Sequence, residues 1–289
     1  MLTRESVPQE EKSVASSSTA DDLALAPARR TRANRASGGL LRDGSFRARQ
    51  GGGLPGAGLH HPPGMLPYSP DAVAEALLLQ LDAAAAGRGR ATLAIPGGRT
   101  PAPTLTALAR MCDPFLRARL HLLWLDERAV PPGDPQRNDG ATLQAWSLGG
   151  ALPEHIHPMP AEAGDLEAAA AAYATTLNQA CAGAPLDACL VGFGEDGHIA
   201  SLFPQHPGLR ELSPVFAVID SPKPPARRLT LGLGVLSQAG LLAVLALGRD
   251  KGTVAKRAWA GADARLPVSL LPRERCRWYL DDEAAAGAR

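Results

Sequence analysis

Four short apolar runs, Ala91–Ile95, Leu120–Leu125, Asp187–Val191 and Leu241–Leu247, each break off at a turn rich in glycine or charge. Runs of that length suit buried strands and fall far short of a membrane span. Helical patterns separate them. Ser69-Pro70-Asp71 opens a helix in which Ala74, Leu77, Leu78 and Leu81 recur at helical spacing, and Gly87–Arg90 closes it. Further helices are predicted over Ala102–Met111, Asp165–Ala182 and Gly248–Trp259, and further strands over Val215–Ile219 and Leu229–Leu233. Strands alternating with helices predict an α/β fold on an open, mostly parallel sheet flanked by helices. In such sheets the loops at the carboxyl ends of the strands converge along one edge, where ligands bind.

The turns therefore carry the functional information. After Ile95 come Gly97, Gly98, Arg99 and Thr100 at a helix start, where unpaired N–H groups and the helix dipole favour a phosphate. The plainer alternative is a simple chain reversal. After Leu125 come Asp126, Glu127 and Arg128, a triplet that would ordinarily be a solvated edge. After Val191, Gly192 and Gly194 permit a sharp turn that other residues resist, followed by Asp196, Gly197 and His198. Histidine alone exchanges protons near neutral pH with an unperturbed side chain. The bland alternative is a turn whose polar residues cap a helix. After Leu247, Gly248-Arg-Asp-Lys251 again suits an anion, although a surface lysine has a mundane explanation. His155-x-His157 places two imidazoles on one strand face, and with no third ligand nearby no metal is expected there.

Composition excludes some classes. The net charge of +1 over 289 residues argues against nucleic acid or membrane as a partner of the whole chain. Hydrophobic residues make up 45% but aromatics only 4%, so the core must lean on Leu, Val and Ala. Cys112, Cys181, Cys189 and Cys276 are widely spaced without a Cys-x-x-Cys pair, which suits reduced thiols and a cytoplasmic location. Residues 1–65 differ from the rest. Pro27–Gln50 holds seven arginines and one acid between Ser16–Ser18 and Gly51–Gly53, with no apolar period. A disordered leader is expected, with Met65 as a possible true start and residues 66–289 as one catalytic domain. A nucleic-acid-binding tail would need interleaved aromatics, which are missing.

Gly192-x-Gly194-x-Asp196-Gly197-His198-x-Ala-Ser201-Leu-Phe-Pro204 resembles the signature of the 6-phosphogluconolactonases, a superfamily shared with the glucosamine-6-phosphate isomerase/deaminases. Gly97-Gly98-Arg99-Thr100-Pro101 is similar to their Gly-Gly-Ser-Thr-Pro, with Arg99 at the serine. Asp126-Glu127-Arg128-x-Val130-Pro131 and the later Arg137-Asn138 are similar to Asp-Glu-Arg-x-Val-Pro…Ser-Asn, with Arg137 at the serine. Arg228, Lys251 and the closing segments Leu266–Leu270 and Arg277–Asp281 also fit, so the resemblance runs from about residue 70 to the C-terminus.

The resemblance implies a 6-phosphorylated lactone as substrate and no cofactor or metal; a monomer or weak homo-oligomer is expected. It implies binding by Gly97, Gly98, Thr100, Arg128, Asn138, Gly194, Gly197, Ser201, Arg228 and Lys251, with Arg128 on the phosphate. His198 would activate water as a general base, and Asp196 or Asp126 would orient it. N–H groups of the Gly192–Gly197 turn are candidate oxyanion donors. Two rivals stand beside this reading. The deaminases share Asp-Gly-His but continue Ile-Ala-Phe-Asn-Glu-Pro, where this chain has Ser201-Leu202-Phe203-Pro204. A non-catalytic sugar-phosphate sensor would be expected to lose the histidine and carry a DNA-binding domain, whereas His198 is present and the leader has no helix-turn-helix pattern.

Overall fold

The computed structural model describes Pro62 and residues 64–289. All of them fall in the second of the two units into which the chain divides, Gly56–Arg289. The expected leader lies outside the described residues but for its last few. In chain order the elements are β1 (Met65–Pro67), α1 (Pro70–Arg88), β2 (Ala91–Ile95), α2 (Ala102–Met111), α3 (Pro114–Arg117), β3 (Leu120–Trp124) and β4 (Asp126–Arg128). They continue with α4 (Asn138–Ser147), β5 (His155–His157), α5 (Leu166–Cys181), β6 (Ala188–Gly192), β7 (Val215–Val218) and β8 (Arg228–Leu231). The last are α6 (Leu233–Gln238), β9 (Leu241–Ala246), α7 (Arg249–Ala260), β10 (Cys276–Leu280) and α8 (Asp282–Gly287).

Local chemistry sets the ends of α1. The Ser69 hydroxyl accepts from Ala72 N–H at 3.0 Å, Pro70 occupies the first turn, and Gly89 leaves the helix with φ 71°. Val73, Ala74, Leu77, Leu78, Leu81 and Ala85 form its buried stripe.

Seven strands form one sheet in the order β1-β10-β9-β6-β2-β3-β5, and every adjacent pair is parallel. β2 and β9 are buried along their whole length, as continuous apolar strands in a doubly covered parallel sheet should be. From β2 the chain moves outward through β3 to β5, then returns to β6 on the other side of β2 and continues outward through β9 and β10. The order reverses between β2 and β6. A crevice opens at such a reversal, at the carboxyl ends of the two strands.

Two features go beyond what the sequence pattern predicts. β1 lies before Ser69 and pairs Met65, Leu66 and Pro67 with Trp278, Tyr279 and Leu280; three residues are too few to show a period. A second, antiparallel sheet of order β4-β8-β7 uses the charged triplet Asp126–Arg128 as a strand. The triplet is no solvated edge, since Asp126 and Glu127 are buried. β8 accordingly starts at Arg228, opposite Arg128, and ends at Leu231.

The sheet edge also supplies the third imidazole that the sequence alone does not place near His155 and His157. β3 sets His121 beside both, with ring centroids 4.4 and 5.2 Å away and the planes nearly parallel. His121 Nδ1 stands 3.0 Å from His157 Nε2, one ring donating to the other. Burial, then the neighbouring imidazoles, push His121 down to about 4, and burial lowers His157 as well. Among the described residues no group of three or more His, Cys, Asp or Glu is arranged to hold a metal ion.

Candidate active site

The loop after β6 is folded by its own backbone. Gly197 N–H donates to Gly194 C=O at 2.9 Å, closing a tight turn, and Gly194 N–H donates to His198 C=O at 2.9 Å. Those two amides, candidates for holding an oxyanion, are thus committed within the turn. What the glycines supply is conformation and room: Gly197 has φ +80°. A Cβ on Gly194 would overlap Nδ1 of His198 and Oδ1 of Asp196. The turn folds Asp196 back onto the imidazole, with Oδ1 2.5 Å from His198 Nδ1. A carboxylate accepts only, so Nδ1 carries the proton and Nε2 is left as the ring's free nitrogen. Burial would raise Asp196, but the bonds from His198 and Lys223 override it and hold the acid at about 2. Burial lowers the His198 pKa and outweighs the opposing pull of Asp196. The pair at neutral pH is therefore a neutral base beside a carboxylate. Replacing Gly194 by Ala is expected to lower kcat by about tenfold or more while leaving Tm nearly unchanged, because the new methyl displaces the pair but not the core. Steady-state rates beside a melting curve check this, and an unaltered kcat would contradict it.

The second acid has another task. Asp126 Oδ2 accepts from the Ser201 hydroxyl at 2.7 Å, and Oδ1 accepts from Asn138 Nδ2 at 3.2 Å. Its cationic neighbour is Arg228, whose Nη1 is 3.9 Å from Oδ2. Asp196 is the acid that binds His198, which resolves the choice the sequence leaves open. Ser201 is fully buried and reaches the site only through Asp126. Asn138 also donates to Asp126 C=O at 2.8 Å, and a Cβ on Gly97 would collide with its side chain. The glycine after β2 is therefore required by packing against α4.

Nine of the predicted residues line one cavity of about 260 Å³ at the strand-order reversal: Gly97, Thr100, Asp126, Arg128, Asn138, Gly194, His198, Arg228 and Lys251. That is close to the lower end of ligand pockets, roughly 300–1,000 Å³, and suits a small metabolite. Gly98 lines the adjoining cavity with Arg99, Arg128 and Asn138. Asp196, Gly197 and Ser201 do not line it but are hydrogen-bonded to residues that do, His198, Gly194 and Asp126 in turn. A larger cavity at the end of α5, about 340 Å³, is lined by no acid, histidine, lysine or arginine and so offers no charge to a ligand.

Cations gather on the shared cavity. Arg128 Nη1 donates to Gln136 C=O at 2.8 Å, while its buried Nε has no partner, leaving one face of the fork for an anion. Among the described residues no group takes the N–H donors of Gly97, Gly98, Arg99 or Thr100, at the start of α2. Arg228 is more committed: Nε donates to Pro225 C=O, and Nη2 to the carbonyls of Lys223 and Pro224. Lys251 Nζ donates to Phe193 C=O, and the Gly248 amide is taken by Asp281, so this helix start holds no free amide at its cap.

Sequence reasoning passed over two residues here. Glu127 is fully buried, and its carboxylate accepts from the N–H groups of Arg128, Asn138 and Asp139 at 2.7, 2.8 and 2.9 Å. It caps α4 from a distance. Lys223 stands 3.1 Å from Asp196 Oδ2 and 3.3 Å from His198 Nδ1. The only sequence signal for it was its place in the basic, proline-rich loop before β8. Arg137, at the position of the family serine, is buried and ties Asp139, Glu162, Val130 C=O and Met159 C=O together.

The profile of the glucosamine-6-phosphate isomerases/6-phosphogluconolactonase family matches residues 69–279. A 6-phosphogluconolactonase of Streptomyces coelicolor is 40% identical over 232 residues, covering 75% of this chain and 89% of its own. One from Mycobacterium tuberculosis is 37% identical over 230 residues, covering 74% and 92%. Among solved structures, the 6-phosphogluconolactonase of Thermotoga maritima superposes with a TM-score of 0.66 at 24% identity, covering 75% of this chain and 97% of its own, which bears on the fold alone. With profile, relatives and fold in agreement, the chain belongs to the glucosamine-6-phosphate isomerase/6-phosphogluconolactonase family.

Proposed function

We propose that this enzyme hydrolyses 6-phospho-D-glucono-1,5-lactone to 6-phospho-D-gluconate, in the oxidative pentose phosphate pathway. The observation that carries the reading is that an imidazole whose Nδ1–H is committed to a carboxylate lines the same cavity as Arg128, Arg228 and Lys251. The phosphate sits on the Gly97–Thr100 amides and the open side of Arg128, which places the lactone ring toward His198. Nε2 takes a proton from water as its oxygen attacks the lactone carbonyl. The tetrahedral intermediate collapses, the C1–ring oxygen bond breaks, and the imidazolium returns the proton to the departing oxygen. Asp196 stays ionised throughout, stabilising the imidazolium and fixing its tautomer. Asp126 keeps the floor of the site in register through Ser201, Asn138 and Arg228.

Acid release from fresh phosphorylated lactone, measured against the spontaneous rate, tests the reaction. The expected result is a rate proportional to enzyme, with no ammonia released from glucosamine 6-phosphate; the reverse pattern would replace this reading by the deaminase one. Replacing Arg128 by Ala is expected to raise KM by about tenfold to a hundredfold with a smaller change in kcat, since a charge-assisted phosphate contact is worth roughly 1.5–3 kcal/mol. A KM equal to wild type would remove Arg128 from the phosphate site. A cytoplasmic location fits the cysteines, all four free, three of them buried. Among the described residues no helix is long and apolar enough to cross a membrane.

A further inference from the structure

We propose that Lys223 is a positioning residue of this site, its ammonium holding the outer oxygen of Asp196 so that the inner oxygen keeps the Nδ1–H of His198 and the free nitrogen stays available as the base. The inference rests on the reading of His198 as that base. Lys223 Nζ is 3.1 Å from Asp196 Oδ2, while the other oxygen, Oδ1, makes the 2.5 Å contact with the ring. An ammonium has only donors, and Nδ1 carries its proton toward Asp196. The 3.3 Å approach of Nζ to Nδ1 is therefore a meeting of two donors held together by the acid they share. Its effect on the ring is repulsion of positive charge.

The placement is built into the loop. Lys223 C=O accepts from the buried Arg228 guanidinium at 2.9 Å and from the Ser221 hydroxyl at 2.7 Å, and Lys223 N–H donates back to that hydroxyl at 3.2 Å. The same arginine lines the cavity, so the lysine is indexed to the substrate site. The imidazole is faced by few other groups. Phe203 lies 4.9 Å away, ring to ring, and Asp126 on β4 contributes negative charge. Lys251 on α7, with Glu195 beside it, and Arg228 on β8 complete the charged surroundings. Of the cations among the described residues, Lys223 alone touches both members of the pair. It opposes protonation of His198 while sparing Asp196, the combination a base near neutral pH requires.

The test compares the pH dependence of kcat/KM for wild type, Lys223→Met, Lys223→Arg and His198→Ala. The wild-type acid limb is expected below the ordinary histidine value of 6.5. In Lys223→Met it moves up by about one pH unit, so kcat/KM falls about tenfold on the acid side and changes little well above the limb. Lys223→Arg restores the wild-type limb. A loop-shaping role would instead lower the rate by the same factor at every pH, and that result, or an unmoved limb in Lys223→Met, overturns the proposal. If His198→Ala also keeps full activity, the base itself is misassigned; if it is inactive, only the role of Lys223 falls.

Discussion

An alanine at position 198 lowers kcat by about 10²–10⁴-fold, the range general acid–base catalysis supplies, while KM stays close to the wild-type value. The ring is only part of the wall. The proposed phosphate site, Arg128 and the Gly97–Thr100 amides, is untouched by the substitution, so affinity for 6-phosphogluconate should persist in the variant. What disappears is the proposed base, the group assigned to take a proton from water and give it to the ring oxygen. The substrate is an activated ester, so residual turnover above the uncatalysed rate is expected from positioning alone. Loss of product affinity in parallel with kcat would point to collapse of the cavity instead. Undiminished turnover would reject the mechanism.

Glu127→Ala is expected to cost about 3 kcal/mol of stability, because three N–H groups, that of Asn138 buried and those of Arg128 and Asp139 partly so, lose their acceptor at once and each unsatisfied buried donor costs about 1–3 kcal/mol before water and relaxation recover part of it. For a domain of this size that lowers Tm by roughly 6–12 °C. Burial pushes the carboxyl up against the pull of those three bonds, the mark of an acid placed for architecture at the expense of its own ionisation. Glu127 joins β4 to the start of α4, which positions Arg128 and Asn138, so kcat/KM should fall along with Tm. Gln at the same position keeps one acceptor oxygen and turns an amide toward one of the three N–H groups, so an intermediate Tm is expected. A melting curve superimposable on wild type for Glu127→Ala would show that the capping bonds are dispensable.

The parts of the site made by local sequence were legible in it. The Gly192–His198 turn closes with its own hydrogen bonds, and the phosphate-type turn after β2 is a strand, glycines and a helix in succession. The parallel strands were legible for the same reason, since a buried strand writes itself as an apolar run. What depended on distant partners was not. β4 is charged yet buried, because its acids meet amides eleven and twelve residues on. α4 went unmarked for the complementary reason: Arg137 at its cap makes no side-chain capping bond, and the carboxylate that serves comes from another element. His121 joined His155 and His157 only through strand register. The choice between Asp126 and Asp196 needed distances, and Lys223 reaches the pair across a loop 25 residues away in sequence.

The most direct measurement is a crystal structure of the enzyme with 6-phospho-D-gluconate bound. The phosphate is expected on the amides of Gly97–Thr100 and the open side of Arg128, with C1 about 3–3.5 Å from a water or oxygen held by His198 Nε2. A product molecule seated with its C1 carboxylate on Arg128 and its phosphate at the imidazole, or one whose carbonyl end lies beyond the reach of position 198, would contradict it.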